Sequence, residues 1–310
     1  MSADPSRPDP DARRPLTRGD TVAVLGAGTM ASRMIPHLRR AGFQLRLYNR
    51  TRARLDGLAQ YAAAVCATPG EAARGAHAVL SMVADDEASR SVWLGADGAL
   101  AAARPGTLAV ECSTLSAGWT ASWADACLDR SLAPVDAPVT GSTPRASDGS
   151  LIMFAGGSAA ALDAAGPLFA AFTERVFALG PVGAGGRFKL VNNMLAGSFL
   201  VALGEALAMV GPLGLDPGQA LEILSEFGWA GGVASGKGPA MRDDTHTDVS
   251  CRLALLAKDL GYAADLAHQA GLELPVASAA GDRLAEAVSA GFGELDMSAV
   301  SAGVLRGGRR

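Results

Sequence analysis

A lysine and an asparagine one helical turn apart form the pair of residues best suited to proton transfer. Lys189 and Asn193 lie in the apolar segment GGRFKLVNNM, residues 185–194, and Lys189 is one of only three lysines in the chain. On a helix, the i, i+4 spacing places both side chains on one face. A buried lysine can lose its proton near neutral pH, whereas arginine cannot. We therefore expect Lys189 to exchange a proton with a substrate oxygen and Asn193 to hold the lysine or that oxygen. The alternative is a lysine that extends from a helix start into solvent.

A glycine-rich turn follows the first apolar segment. Residues 21–28, TVAVLGAG, predict a strand that ends in a turn, and residues 29–42 predict a helix. Glycines in a Gly-x-Gly-x-x-Ala turn allow the backbone to approach a ligand closely, so that a pyrophosphate rests on the helix N-terminus. The turn therefore predicts a dinucleotide site, with the expected cofactor-binding residues Gly26, Gly28, Thr29 and Met30, followed by Ala31.

The end of the second predicted strand, residues 43–50, indicates which dinucleotide is bound. The sequence there is Asn49, Arg50 and Thr51, where NAD-specific folds usually place an acidic residue on the ribose hydroxyl. Arginine is suited to forked contacts with phosphate. We expect these three residues to bind NADP (NADPH), with NAD the less favoured cofactor. The alternative is that Arg50 only begins an exposed helix.

Apolar runs alternate with amphipathic segments up to residue 182, and this alternation predicts βαβ units with a mainly parallel sheet. Further strands are predicted at 43–50, 77–85, 107–114, 132–138, 150–157 and 175–180, with a helix at 119–130. After residue 182 only helices are predicted, at 185–214, 217–228, 251–271, 276–291 and near 298–305. The predicted fold class is α/β: an N-terminal Rossmann-type doubly wound sheet over 20–182, followed by an all-helical domain over 183–310, to which the resemblance described below assigns substrate binding and dimerisation.

Composition excludes several classes of protein. The net charge of −4 gives no basic surface for nucleic acid. Four scattered cysteines and four histidines without ligand spacing predict no metal site and fit a reducing cytoplasm. Residues 1–19 are polar and Pro-rich, so we expect a disordered tail rather than a signal peptide. Residues 194–215 have the length of a membrane span, but Glu205 and Pro212 favour a buried helix of a soluble protein without a membrane partner.

Five motifs occur in an order that resembles the β-hydroxyacid dehydrogenase family, which includes 3-hydroxyisobutyrate dehydrogenase-like and 6-phosphogluconate dehydrogenase-like proteins. The match covers nearly all of residues 20–305 and is most similar to the glyoxylate and succinic semialdehyde reductases. The motifs are GAGTMA (26–31), ECST (111–114), DAPVTGSTPRASDGSL (136–151), GAGGRFKLVNN (183–193) and LLAKDLGYA (255–263).

The resemblance implies roles for individual residues. Lys189 matches the catalytic lysine, and Asn193 matches the asparagine one turn on. Lys258 and Asp259 match a pair that reaches the cofactor from the helical domain. The resemblance also implies a homodimer or homotetramer assembled through the helical domain. The remaining implied residues are Val83 for the cofactor and Ser113, Thr114, Thr140, Gly141 and Ser142 for the substrate, of which the Thr140 loop forms an anion-binding nest for a carboxylate.

These observations lead to the hypothesis of an NADPH-dependent oxidoreductase. It transfers a hydride between nicotinamide and a small aldehyde acid or hydroxy acid of the glyoxylate, succinic semialdehyde or 3-hydroxyisobutyrate type. One alternative is an imine reductase-like enzyme, although proteins of that kind generally lack the Lys-x-x-x-Asn pair. Another is a non-catalytic NADP-binding oligomer module.

The sequence departs from the family pattern at several positions. Glu111 stands where the family usually has Asp, Thr140 replaces the usual Ser, and Cys251 appears where related reductases have an aromatic residue. Trp229 lies nearby in a Gly-rich segment. Because these changes reshape the pocket for the acyl part of the substrate, the reaction type follows from the resemblance but the substrate does not. Lys237 is either a loop lysine or an anchor for an anionic substrate.

Overall fold

The structure is a computed structural model that describes residues 14–228 and 231–302. The chain divides into two compact units, residues 1–189 and residues 190–310. The boundary expected near residue 182 precedes that division, because helix α8, Ala184–Val210, runs from one unit into the other. The predicted class, a Rossmann-type α/β sheet followed by helices, is confirmed.

Nine strands of the first unit form one sheet. They are β1 Thr21–Leu25, β2 Gln44–Tyr48, β3 Ala62–Val65, β4 Ala78–Ser81, β5 Leu108–Glu111, β6 Ala133–Asp136, β7 Val139–Thr140, β8 Leu151–Gly156 and β9 Thr173–Gly180. The order is β3-β2-β1-β4-β5-β6-β8-β7, with β9 beside β8. Strands β1 to β6 pair in parallel, whereas β8 runs antiparallel to β6 and β7. The order changes direction at β1, between β2 and β4, and open α/β sheets bind ligands in the crevice at such a point.

Both faces of this sheet are buried. In β1, Val22 and Val24 belong to one hydrophobic core, and Ala23 and Leu25 belong to the other. Burial on both faces explains why the strands appear in the sequence as continuous apolar runs. The covering helices are α1 Ala31–Arg40, α6 Ser142–Asp148 and α7 Ala159–Phe169 on the first core, and α2 Pro69–Ala73, α3 Asp86–Leu94, α4 Ala99–Ala102 and α5 Ala117–Asp129 on the second.

The described part of the second unit contains the rest of α8, four further α-helices around their own core, and two short helical turns at Val288–Phe292 and Met297–Ala299. These are α9 Pro217–Glu226, α10 Gly231–Arg242, α11 Leu253–Gln269 and α12 Pro275–Ala287. A Cβ atom at Gly197 of α8 would lie 2.6 Å from Leu260 of α11, so the missing side chain allows the two helices to cross closely. Within 190–228 and 231–302, the only extended pairing is an isolated bridge between Arg252 and Asp296, as the helical prediction requires.

The predicted N-terminal tail is too long. Its residues 1–13 lie outside the described residues, but residues 14–19 pack against the first unit. Leu16 is 4% exposed, and its N–H donates to the carbonyl of Ala164 over 2.9 Å. Arg14 forms an ion pair with Asp20 at 2.7 Å. Leu16 was not recognised in the sequence as a core residue because its neighbours are polar or proline.

Helix α8 has the length and hydropathy of a membrane span, with 33% of its most apolar window buried. It contains Lys189 and Asn193, and it contributes Leu200 and Leu203 to the core of the second unit. The expectation of a core helix therefore holds for one face. The other face has a row of apolar side chains that are 40–52% exposed: Phe188, Val191, Leu195 and Phe199.

Candidate functional site

The turn between β1 and α1 leaves open space for a ligand. Gly26 has φ +106°, and a Cβ atom there would lie 2.3 Å from the carbonyl oxygen of Met82, which follows β4. A Cβ atom at Gly28 would have no neighbour within 4 Å. Met30 occupies the N-cap of α1 without a side-chain cap. Backbone N–H groups at an uncapped helix start favour an anion, so this turn fits a pyrophosphate.

Asn49 joins the turn after β2 to the glycine-rich turn. Its Oδ1 accepts a hydrogen bond from the N–H of Ala27 at 2.9 Å, and its Nδ2 donates to the carbonyl of Thr51 at 2.8 Å. Both ends of the amide are thus used within the protein. Arg50 and Thr51 are exposed, and they are the side chains of this segment that face solvent.

Ser113 is fixed at the end of β5 by two neighbours. Its Oγ accepts from the N–H of Val83 at 2.8 Å, and its N–H donates to Glu111 Oε1 at 3.0 Å. Glu111 also accepts from Ser89 Oγ and Trp93 Nε1 in α3, at 2.8 and 2.9 Å. Burial raises the pKa of Glu111, while these hydrogen bonds oppose the shift. The longer side chain that replaces the usual Asp thus reaches α3 as well as Ser113.

The loop after β7 has an uncommon backbone conformation. Gly141 has φ +121°, and Ser142, which is not a glycine, has φ +58°. Left-handed backbone at a non-glycine residue costs free energy and is frequent at binding sites. Thr140 precedes this turn in β7, where it pairs with Ile152 of β8. The three predicted substrate residues are therefore adjacent in one sharply turned segment.

Lys189 lies near the start of α8 and is only 8% exposed. Its side chain is therefore buried rather than extended into solvent. The start of α8 is held by Asp136, the last residue of β6. Asp136 Oδ1 accepts from the N–H of Gly183 and Oδ2 accepts from the N–H of Gly186, both at 2.6 Å.

Asn193, in the second unit, is held by Asp259 of α11. Asn193 Nδ2 donates to Asp259 Oδ2 at 2.6 Å, and Asn192 Nδ2 donates to Asn193 Oδ1 at 3.0 Å. Lys258 Nζ forms an ion pair with Asp259 Oδ1 at 2.8 Å and lies 4.7 Å from the centre of the Tyr262 ring. Asp259 is 5% exposed, and its buried carboxylate binds Asn193 and Lys258 at the same time.

Within the first unit, most of the predicted residues lie where parallel strands end. The residues from the ends of β1, β2, β4 and β5 are linked by the Asn49 and Ser113 hydrogen bonds given above. The predicted positions are Gly26, Gly28, Thr29 and Met30 after β1, Asn49, Arg50 and Thr51 after β2, Val83 after β4, and Ser113 and Thr114 after β5. Sequence reasoning missed the part that Asp136 plays at α8. An acid that ends a buried strand, together with the glycines of GAGG, was the available signal.

The remaining sequence hypotheses have different outcomes. Lys237 Nζ lies 2.9 Å from both oxygens of Asp296 and 2.5 Å from Ser250 Oγ, so its charge is used inside the second unit rather than presented to a substrate. Cys251 is half-buried. Trp229 lies outside the described residues. Among the residues that are described, no group of three His, Cys, Asp or Glu side chains is placed to hold a metal ion.

The strand order and the open glycine turn at the crevice are those of a Rossmann-type dinucleotide-binding fold. Residues 21–180 match the model of the NAD-binding domain of 6-phosphogluconate dehydrogenase. Residues 183–303 match the model described as NAD-binding of NADP-dependent 3-hydroxyisobutyrate dehydrogenase.

Individual proteins resemble the chain over nearly its whole length. Glyoxylate/succinic semialdehyde reductase 1 of Arabidopsis thaliana is 33% identical over 279 residues, which cover 90% of this chain and 96% of the relative. NAD-dependent L-serine dehydrogenase of Pseudomonas aeruginosa is 34% identical over 289 residues, with coverage of 90% and 96%. The structure of 3-hydroxyisobutyrate dehydrogenase from Salmonella typhimurium superposes with a TM-score of 0.83 at 27% identity, covering 91% of this chain and 99% of that one.

The chain therefore belongs to the β-hydroxyacid dehydrogenase family. Members of this family are NAD(P)-dependent dehydrogenases and reductases that act on the CH–OH group of hydroxy acids, and this chain is an oxidoreductase of that kind.

Proposed function

We propose that the protein is an NADPH-dependent reductase of a small aldehyde acid, and that Lys189 donates the proton to the carbonyl oxygen. When bound, the dinucleotide supplies the hydride. The observation that supports this proposal most strongly is the buried Lys189 on a helix whose first turn is tied to the sheet by Asp136.

The preference for NADPH rests on the segment after β2. Asn49 uses both ends of its amide to hold the turn, so Arg50 and Thr51 are the groups left to meet the ribose. Arg50 carries a guanidinium suited to a 2′-phosphate, and Arg52 and Arg54 add exposed positive charge close behind. Because one relative is named as NAD-dependent, the cofactor must be tested directly.

The loop from Thr140 to Ser142 is the proposed anchor for the substrate carboxylate. Gly141 and Ser142 form a sharp turn with positive φ, and successive backbone N–H groups in turns can form anion-binding concavities. The Thr140 hydroxyl provides a further donor beside it. A hydroxyl, backbone amides and a buried ammonium suit a short acid with an adjacent or terminal carbonyl group, as in glyoxylate or succinic semialdehyde. Ser113 and Thr114 complete the proposed substrate site.

In this arrangement the side chains catalyse the reaction by proton transfer, without a covalent intermediate. The Lys189 ammonium donates its proton to the carbonyl oxygen as the carbon is reduced, and the amine takes it back from the alcohol in the reverse direction. Asn193, whose amide is oriented by Asp259, holds the lysine or the substrate oxygen. The family resemblance implies that Lys258 also contributes to the cofactor site.

We also propose that the protein is cytoplasmic and forms a homodimer or homotetramer through α8. Four apolar side chains on one face of α8 are each 40–52% exposed: Phe188, Val191, Leu195 and Phe199. Together they form a contiguous apolar patch rather than isolated surface residues, and such a patch suits an interface with a second copy of the chain. No nucleic acid or membrane partner is proposed.

The proposal is tested by following NADPH oxidation with glyoxylate, succinic semialdehyde and a cyclic imine, and NADP+ reduction with 3-hydroxyisobutyrate, each repeated with NADH or NAD+. Fast turnover of an aldehyde acid with NADPH supports it. Turnover of the imine alone would favour imine reduction instead, and bound NADPH without turnover of any carbonyl compound would favour a non-catalytic module.

A further inference from the structure

We propose that Asp136 is a positioning residue: it holds the first turn of α8 against the sheet and thereby fixes Lys189 relative to the Thr140 loop. The proposal deepens the proposed function, on which its kinetic part rests. Asp136, Thr140 and Lys189 all belong to the first unit, so the relationship lies within one compact body.

Asp136 is itself rigidly placed. It ends β6, a strand paired with β5 on one side and with β8 at Gly156 on the other. The N–H of the next residue, Ala137, donates to the carbonyl of Glu111 at 2.7 Å. Asp136 is 2% exposed. Because β6 is paired on both sides and the Asp136 side chain is buried, the carboxylate has little freedom to move and can hold a helix end in one position.

The attachment uses both carboxylate oxygens and two different amides of the helix start. Gly183 immediately precedes α8, and Gly186 lies in its first turn. Both hydrogen bonds measure 2.6 Å, and bonds to a charged acceptor are stronger than those between neutral groups. A carboxylate at a helix N-terminus also interacts favourably with the helix dipole. The orientation of the first turn is thus set by β6 rather than by a capping side chain of the helix itself.

The surrounding glycines allow this close contact. A Cβ atom at Gly185 would lie 2.3 Å from the carbonyl oxygen of Phe154, and one at Gly156 would lie 2.3 Å from Asp136 Oδ1. The backbone of α8 therefore rests directly on β8 and on the Asp136 side chain. Lys189 follows one turn after Gly185, so a displacement of the first turn displaces the ammonium with it.

The same carboxylate is close in sequence to the substrate loop. Residues 137–139 lead from Asp136 to Thr140, and the carbonyl of Pro138 accepts from the N–H of Phe154 at 2.9 Å. Burial raises the pKa of Asp136, and the two amides oppose that shift by stabilising the ionised form. The carboxylate thus serves as a common support for the lysine on one side and the carboxylate-binding loop on the other.

Asp136→Asn tests the proposal. The Asn side chain has nearly the same volume as Asp, but its NH2 group would face the backbone N–H of Gly183 or Gly186, which it cannot accept. Asp136→Ser, which retains one acceptor atom, is the second variant if the first does not fold. Asp20→Asn is the matched control, since Asp20 is also buried in the first unit and accepts a backbone N–H, from Thr17 at 2.8 Å.

Two measurements need no substrate. Hydrogen exchange of residues 183–189 should accelerate by at least about 10-fold in the Asp136 variants. Acetylation of Lys189 by acetic anhydride should become several-fold faster relative to Lys237 and Lys258, the other two lysines of the chain. In the third measurement, kcat should fall by about 10- to 100-fold with the KM for NADPH unchanged, because misplacing a reacting group affects the chemical step. Asp20→Asn should leave all three unchanged.

Unaltered exchange in the variants would overturn the proposal, because the two hydrogen bonds would then not hold the helix start. Faster exchange with unaltered Lys189 acetylation and kcat would also overturn it, leaving Asp136 a role in stability alone. If the wild-type protein reduces no carbonyl compound, the proposed function fails, but exchange and acetylation still decide whether Asp136 positions Lys189.

Discussion

Asn193 Nδ2 donates a hydrogen bond to Asp259 Oδ2 at 2.6 Å, while Lys258 approaches the other oxygen of the same carboxylate at 2.8 Å. One buried acid thus fixes two of the side chains proposed to act on substrate and cofactor. The carbonyl oxygen of Asn193 accepts a hydrogen bond from Asn192 Nδ2 at 3.0 Å, so both ends of the Asn193 amide are held within the second unit.

This hydrogen bond predicts strong coupling between Asn193→Ala and Asp259→Ala. Asn193→Ala removes one partner of the buried Asp259 carboxylate, and Asp259→Ala removes the partner of the half-buried Asn193 amide, so the double variant should lose less stability than the sum of the two. We expect a coupling free energy of about 1–3 kcal/mol, measured by urea unfolding of the four proteins. Strictly additive losses would show that the two side chains do not interact in solution.

The two glycines of the β1–α1 turn should respond to alanine in opposite ways. Gly26→Ala forces a Cβ atom against the Met82 carbonyl at a positive φ, so it should destabilise the protein by more than about 2 kcal/mol. Gly28→Ala extends into open space and should leave stability unchanged. It should instead weaken NADPH binding by about 10-fold or more, since the methyl group occupies the proposed pyrophosphate site.

The two glycine variants serve as controls for each other in thermal unfolding and NADPH titration. If Gly28→Ala bound NADPH as tightly as the wild type, the dinucleotide would not lie over this turn.

Arg50→Asp should reverse the cofactor preference. Replacing a guanidinium that contacts a phosphate removes a charge-assisted hydrogen bond, and the new carboxylate suits the free ribose hydroxyl. We expect the ratio of kcat/KM for NADPH to that for NADH to fall by about 10- to 100-fold. Arg130→Asp, at an exposed position after α5, is the control. An unchanged ratio in Arg50→Asp would mean that another residue selects the cofactor.

Asp20 should make the free energy of unfolding depend on pH in the acidic range. Hydrogen bonding to Arg14 lowers the pKa of Asp20 to about 2 from its ordinary 3.8, although burial opposes the shift. A carboxyl group with a lowered pKa in the folded state stabilises the protein fully above pH 4, and this contribution is lost as the pH falls toward 2. Asp20→Asn should therefore be less stable than the wild type at pH 6 in urea unfolding, and the difference should shrink at pH 3. A difference that does not vary with pH would contradict this.

Much of the fold followed from the sequence because its signals are local. Apolar runs of strand length predicted β1, β2 and β4 to β6, and the glycine turn at residues 26–28 predicted the ligand crevice. Strand β3, four residues of alanine and valine, gave no alternation. The short helices α2 and α4 are hardly longer than a turn and consist mainly of small residues. Packing against the second core, rather than local periodicity, stabilises them.

The relations between distant residues could not be predicted in the same way. The bond of Asp136 to Gly183 joins residues far apart in sequence, and although the acid and the glycines are each visible in the sequence, nothing there indicates that they pair with each other. Lys237 was left undecided for the same reason, because its partner Asp296 lies in another part of the second unit. Leu16 was assigned to a disordered tail since its neighbours are polar, although its own side chain fills a place in the core.

Lys189 is the most direct test of the account, because the proposed reaction requires its proton. The measurement is kcat for reduction of the preferred aldehyde acid by wild-type protein, Lys189→Ala and Lys189→Arg, with NADPH binding measured for each. The account predicts that both variants bind NADPH as the wild type does and that kcat falls by about 100- to 10,000-fold, with no rescue by arginine, which cannot release a proton. A kcat close to wild type in either variant, with the cofactor bound, would contradict it.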